Sequence, residues 1–257
     1  MTDQELLALA AELAEAAGKR ILEIRAEGAL GERRKVDKTL VTNADHASEA
    51  LIVGGLRAAV PAIAIIAEEE IAAGITSERT DVFWLVDPLD GTREFTEGRD
   101  EFTVNIGLVR KGEPVLGVVY LPATDELFTG LRSDGARKRT RAGWQAISAR
   151  TPPPEGLSVM ASRHHGSDER LTAFLEGRKV ARIIHSGSAL KFCRLAEGAA
   201  DLYPRFGRTM EWDTAGPQAV LEAAGGTVRL LDGSPLRYGK PGWENPPFVC
   251  TGRLSET

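Results

Sequence analysis

The sequence predicts a layered α/β protein, with an α+β N-terminal half and an alternating α/β C-terminal half. Three observations carry that reading. Apolar residues near the N-terminus recur at spacings of three and four, short Ile- and Val-rich runs fill the middle, and strand and helix patterns take turns after residue 156. With 257 residues, 42% hydrophobic and 27% charged, the chain can bury a sizeable core as one large domain or two small ones.

The elements follow in order. Leu6, Leu9, Leu13, Ala17, Ile21 and Ile24 mark an amphipathic first helix with Thr2 or Asp3 as its cap, ended by Gly28 and Gly31. A basic loop through Arg33, Arg34, Lys35 and Lys38 reads as solvated. A second helix is expected over residues 45–59, stopped by Pro61. Residues 62–67 and 82–86 read as buried strands, opening onto Glu68 and Asp87 respectively. A hairpin is expected from residues 102–109 and 115–121, joined by 110–114, with a further strand at 127–131. The proline run within residues 149–156 marks the expected boundary between an N-terminal unit, 1–150, and a C-terminal one, 151–257. Beyond it the pattern gives strands at 157–161, 180–184 and 200–203. Helices are expected at 168–175, at 189–197 and from Asp213 to Gly225-Gly226.

Bulk properties narrow the function classes. A net charge of −5 argues against general affinity for nucleic acid. Cys193 and Cys250 offer neither a disulfide framework nor metal-ligand spacing, so they read as buried thiols in a reducing compartment. Glu5, Glu12 and Glu15 interrupt what a signal peptide would leave apolar, and no uncharged run approaches the roughly eighteen residues of a membrane span. The chain therefore reads as cytoplasmic, with peripheral association at the inner membrane face left open, and as a monomer or homodimer. No nucleophile elbow is present, so a covalent serine mechanism is not expected.

The acidic residues carry the chemistry. Glu68 and Asp87 both follow apolar strands, where open α/β sheets place their ligands. In Asp87-Pro88-Leu89-Asp90-Gly91-Thr92, Pro88 presets a turn that can bring both aspartates and the Leu89 carbonyl to one point. Gly91 permits close backbone approach, and amides at Gly91 and Thr92 would suit an anion if a helix starts there. Glu211-Trp212-Asp213-Thr214-Ala215-Gly216 opens a helix with Asp213 in the cap position. Each cluster taken alone is a turn or a cap. Together they supply the hard oxygen donors that Mg²⁺ prefers.

These stretches, with Ile66-Ala67-Glu68-Glu69 and Trp84-Leu85-Val86 before Asp87, resemble the signature set of the inositol monophosphatase superfamily. Within it, the chain is most similar to the bacterial CysQ-type 3′(2′),5′-bisphosphate nucleotidase branch. Further likeness lies in Glu101-Phe102-Thr103-Val104-Asn105-Ile106, Ser186-Gly187-Ser188-Ala189-Leu190-Lys191, and Leu202-Tyr203-Pro204-Arg205-Phe206-Gly207. The resemblance implies the αβαβα sugar-phosphatase fold with the site between the halves, two or three Mg²⁺ ions, and lithium inhibition. It implies hydrolysis of the 3′-phosphate of adenosine 3′,5′-bisphosphate (PAP) by a metal-activated water, with its sulfated analogue PAPS as a further substrate. Glu68, Asp87, the Leu89 carbonyl, Asp90 and Asp213 would hold metal. Asp45 and Thr92 would orient and deprotonate the water. Gly91, Thr92, His165, Ser188, Lys191, Arg205 and Asp213 would contact a small-molecule nucleotide bisphosphate. Two departures stand out: Ala67 replaces the usual Gly or Ser, and Thr39-Leu40 replaces a common Ser-Pro. The nearest rival is the same chemistry on inositol monophosphate or another sugar phosphate; a silent phosphometabolite sensor is the rival from another class.

Overall fold

A computed structural model describes residues 1–28, 30–35, 39–75, 80–163 and 168–253. The first helix, α1 (Asp3–Glu27), is closed at its start by a capping box. Thr2 Oγ1 accepts from the Glu5 amide at 3.2 Å, and Glu5 returns the bond to the Thr2 amide at 2.7 Å. A two-stranded ribbon of β1 (Arg33–Arg34) and β2 (Leu40–Val41) leads into α2 (Asn43–Ala59). This helix starts two residues earlier than the sequence predicts, because Thr42 is its cap and Asp45 occupies the third helical position.

The first sheet has seven strands in chain order: β3 (Ala64–Ala67), β4 (Val82–Asp90), β5 (Thr103–Arg110), β6 (Glu113–Leu121), β7 (Glu126–Leu131), β8 (Gly135–Thr140) and β9 (Gly143–Ile147). Only β3 and β4 run parallel. Short helices α3 (Glu68–Ala72) and α4 (Thr92–Thr96) follow β3 and β4. The β5–β6 hairpin closes through Lys111 and Gly112 alone, both with positive φ, rather than through the five-residue link the sequence predicts. The sequence reading omits β8 and β9. Arg137, Lys138 and Arg139 hide β8, yet Lys138 is buried against Glu126 at 2.5 Å and Glu197 at 2.7 Å.

The second half supplies β10 (Leu157–Ser162), α5 (Asp168–Leu175), β11 (Val180–Ser186), α6 (Leu190–Ala196), β12 (Leu202–Arg205), β13 (Thr209–Met210), α7 (Glu211–Ala223), β14 (Thr227–Leu230), β15 (Glu244–Asn245) and β16 (Phe248–Thr251). Five of these strands form a sheet in the order β11-β10-β12-β16-β14. Burial defines the layers. Leu6, Ile21, Ile52 and Leu56 of α1 and α2 pack on one face of the seven-stranded sheet with Trp84, Val104 and Ile106. On its other face Phe83 and Leu85 share a core with Phe192, Trp212 and Ala215 of α6 and α7 and with Met160, Tyr203 and Phe248 of the second sheet. Leu175 of α5 covers Val159 and Leu202 on the far side. The order is helix, sheet, helix, sheet, helix, as the resemblance implies. No described helix is long and apolar enough to cross a membrane.

Candidate active site

A cavity of about 820 Å³ opens between the halves. Glu68, Asp87, Leu89, Asp90, Gly91 and Thr92 line it from the first half; Ser188, Lys191, Arg205 and Asp213 line it from the second. His165 lies outside the described residues. Every other residue singled out for metal or substrate contact therefore faces one space.

The geometry that gathers the aspartates is a bulge, not a turn after the strand. β4 continues through Asp87 to Asp90, with Asp87 opposite Asn105 and Asp90 opposite Thr103 on β5. Two residues, Pro88 and Leu89, oppose the single Val104. In a regular strand, residues three apart point to opposite faces. The extra residue restores Asp87 and Asp90 to the same face. Gly91 follows at φ 91°, where a Cβ would stand 2.9 Å from the Glu101 carbonyl, so only glycine fits without strain.

Asp213 reaches the same space from α7. It is not the cap, as expected, but the third helical residue. Its carboxylate accepts from the Met210 amide at 2.9 Å. Glu68 opens α3, and the buried Glu49 carboxylate accepts from the Glu69 amide at 2.7 Å, anchoring that turn. Asp45 lies buried behind Thr92. Its Oδ1 accepts from Thr92 Oγ1 at 3.1 Å, and its Oδ2 accepts from the Thr42 amide and hydroxyl, both at 2.7 Å.

Lys35 overturns its reading as a solvated residue. Its ammonium is mostly buried and reaches Glu68 at 2.6 Å and Glu69 at 2.5 Å. Nothing local in the sequence announces this pairing. Lys191 is buried too, and its amine donates to the carbonyls of Ser186 at 3.3 Å and Ser188 at 2.5 Å. It thus fixes the turn whose Ser188 has φ 45°, a conformation most side chains avoid. Arg205 donates to Ser162 Oγ at 3.0 Å and to the Arg208 carbonyl at 2.7 Å. Two residues to which the sequence reading gave no role, Glu101 and Arg163, support this wall. Glu101 accepts from the Gly187 amide at 2.9 Å and from Arg163 at 2.8 Å, tying the start of β5 to the second half.

Burial and mutual repulsion raise the carboxylates together. Burial first, then Glu68, Asp90 and Asp213, holds Asp87 well above the usual range. Burial and then Asp90 and Glu68 push Asp213 to about 8. Asp90 rises to about 6 through burial, restrained by Lys191 and by the Ala189 amide. Asp45 reaches about 6, and Glu49 and Glu69 about 7, each chiefly through burial. Burial also lowers Lys191 to about 8.

The sign of the pH effect follows. Acids with raised values keep protons in the folded state that the unfolded chain has released, so their contribution to stability is full below about pH 4 and is lost as pH rises toward about 8. Without divalent cations, the melting temperature should drop between pH 5 and pH 8, and Mg²⁺ should flatten that slope. Differential scanning fluorimetry in EDTA and in Mg²⁺ checks this; a melting temperature rising from pH 5 to 8 in EDTA would refute the clustering.

Among the described residues, no three His, Cys, Asp or Glu side chains converge on a point as a ready-made ligand set. The donor chemistry nonetheless fits a hard cation. The acidic wall is all oxygen, and its members raise one another electrostatically.

Comparisons with known proteins place this geometry. The inositol monophosphatase family profile matches residues 2–253. A Salmonella typhimurium protein named 3′(2′),5′-bisphosphate nucleotidase CysQ is 40% identical over 245 residues, covering 93% of this chain and 97% of the relative. The Escherichia coli protein of that name is 40% identical over 217 residues, covering 83% and 86%. The crystal structure of CysQ from Bacteroides thetaiotaomicron superimposes with a TM-score of 0.83 at 33% identity, covering 98% of each chain. An Anabaena inositol monophosphatase gives 0.75 at 29% identity, covering 96% of this chain and 90% of the other. With residues 2–253 matched in this way, the chain belongs to the inositol monophosphatase family, a family of metal-dependent phosphatases.

Proposed function

We propose that the chain is a 3′(2′),5′-bisphosphate nucleotidase that releases the 3′-phosphate of PAP to give AMP, with Mg²⁺ as its cofactor. The observation that carries this reading is the polarity of the cavity, acidic along Glu68, Asp87, Asp90 and Asp213, and cationic along Lys191 and Arg205. The acidic side suits Mg²⁺ and the phosphate to be cleaved. The cationic side suits a second phosphate, which an inositol monophosphate lacks. The likeness to the CysQ nucleotidases over most of the chain supports the same choice.

Glu68, Asp87, the Leu89 carbonyl, Asp90 and Asp213 would hold the ions. When bound, Mg²⁺ would neutralise phosphate charge and make a coordinated water acidic. The residues around it orient and exclude. Thr92 Oγ1 lines the cavity and donates to Asp45, so it can take a proton from water as it passes its own to the Asp45 carboxylate. Lys191 braces the Ser186–Ser188 turn, so Ser188 is presented at a fixed angle. Arg205 braces the carbonyl of Arg208, another residue of the lining.

The test is a phosphate-release panel of PAP, PAPS, inositol 1-phosphate and fructose 1,6-bisphosphate, each with Mg²⁺ and with EDTA. PAP should give the highest kcat/KM, PAPS should follow, and EDTA should abolish release. Higher kcat/KM on inositol 1-phosphate would assign the chain to the monophosphatase branch instead.

A further inference from the structure

Asn105 stands beside the acidic wall with nothing to bond to. It is fully buried, yet neither its amide nitrogen nor its carbonyl oxygen has a hydrogen-bond partner. Thr103 Oγ1, two residues earlier on β5, is equally buried and equally unpartnered. Buried polar groups are nearly always paired, and an apolar side chain of similar shape would avoid the cost of leaving one unpaired.

The register says where these groups point. Val104, Ile106 and Leu108 belong to the core beneath α1 and α2. Thr103, Asn105 and Gly107 must therefore face the other side of the sheet. There a Cβ on Gly107 would meet the Gly216 amide of α7 at 2.5 Å. On β4, Trp84 and Val86 lie in the α1–α2 core while Phe83 and Leu85 lie in the other, so Asp87 shares the face of Asn105. Asp87 and Asn105 are directly opposite in register, and so are Asp90 and Thr103. Such cross-strand neighbours have Cβ atoms roughly 4.5–5.5 Å apart. The unpaired carboxamide is thus set alongside one acidic residue of the wall, and the unpaired hydroxyl alongside another.

We propose that Asn105 is a positioning residue for the cation site, its carboxamide fixing the orientation of the Asp87 carboxylate for the ion that carboxylate would hold. This rests on the metal reading of the Proposed function. Outer partners of metal-ligating carboxylates commonly change ion affinity by about 10- to 100-fold when removed. Thr103 stands in the same relation to Asp90, with a single hydroxyl in place of the amide.

The test is Mg²⁺ binding to the substrate-free protein, read by isothermal titration calorimetry and by the Mg²⁺-induced rise in melting temperature. Asn105→Leu keeps the shape and removes the carboxamide; Asn105→Ala removes both. Each should weaken Mg²⁺ binding by about 10- to 100-fold, while the melting temperature of Asn105→Leu in EDTA stays level or rises. Asn105→Ser should recover part of the affinity lost in Asn105→Ala, and this pair carries the comparison if Asn105→Leu does not fold. Wild-type Mg²⁺ affinity in the folded variants, whatever their melting temperatures, would reduce Asn105 to packing and overturn the proposal. Failure of the wild-type protein itself to bind Mg²⁺ would instead sink the metal reading beneath it.

Discussion

Asp90→Asn will remove nearly all phosphatase activity and make the metal-free protein harder to melt. The two effects share one cause. Asp90 faces the cavity with Asp87 and Asp213; its charge adds to burial in raising those two, while burial and then Glu94 raise Asp90 itself. Its value near 6 means that at pH 8 the folded state carries a charge it resists, whereas the unfolded chain ionises near 3.8 without cost. Removing that charge should stabilise the protein in EDTA at pH 8 by roughly 1–2 kcal/mol, the Ala189 amide losing its charged acceptor in exchange. For a chain of this size that is a rise of about 2–8 °C in melting temperature. The gain should fade as pH falls below about 3.8, where the wild-type carboxyl becomes protonated in both states. Activity should fall by more than about 100-fold, beyond what losing an outer partner of a metal ligand costs. Parallel measurement of kcat and of melting temperature in EDTA separates this from simple unfolding. A variant that kept wild-type turnover at saturating Mg²⁺ would remove Asp90 from the site.

The residues of the acidic wall were legible in the sequence because each belongs to a short local pattern at the end of an apolar strand or the start of a helix. Their exact placement was not. The spacing of Asp87 and Asp90 reads as a turn, since three residues apart on a strand they would diverge; the bulge opposite Val104 depends on pairing with β5. Helix starts slipped by two residues at Asp45 and Asp213. A carboxylate at the third helical position and one at the cap both precede an apolar run, and only the backbone geometry separates them. The basic residues were the least legible. Lys35, read as a solvated residue, finds its partners in Glu68 and Glu69, which follow the next strand but one. Lys138 made β8 look like exposed chain, because the glutamates that neutralise it arrive from β7 and from the end of α6. A buried charge is invisible in sequence until its counter-charge is placed, and that placement is a tertiary event. Helix faces and strand alternation were enough for a layered α/β protein, whereas the five-layer order came from the family resemblance.

Asp45→Asn and Thr92→Val should each lower kcat by about 100- to 10,000-fold while leaving the fold intact. Asp45 does not touch the cavity; Thr92 does, and the two are joined through Thr92 Oγ1 at 3.1 Å. That hydroxyl has one proton and two acceptors within reach, Asp45 Oδ1 and the Leu89 carbonyl, each at 3.1 Å. When the proton points to Asp45, a lone pair of Thr92 is free toward the cavity, where it can accept from water. Asp45 is held for this task by the Thr42 amide and hydroxyl, which occupy its other oxygen. Asparagine at 45 can keep the amide cap through its carbonyl, so helix stability should change by less than about 1 kcal/mol. What it loses is the carboxylate that can receive the Thr92 proton as Thr92 takes one from water. Thr92→Ser keeps the hydroxyl and should retain most activity. The double variant should be little worse than either single one, because the pair acts as a unit. Asp45 must be ionised to serve, and burial raises it to about 6. The rate should therefore climb with pH through an acid limb at or below pH 6, a nearby bound cation moving it lower. Near-wild-type turnover in Thr92→Val, or fully additive losses in the double variant, would break the link between the two residues.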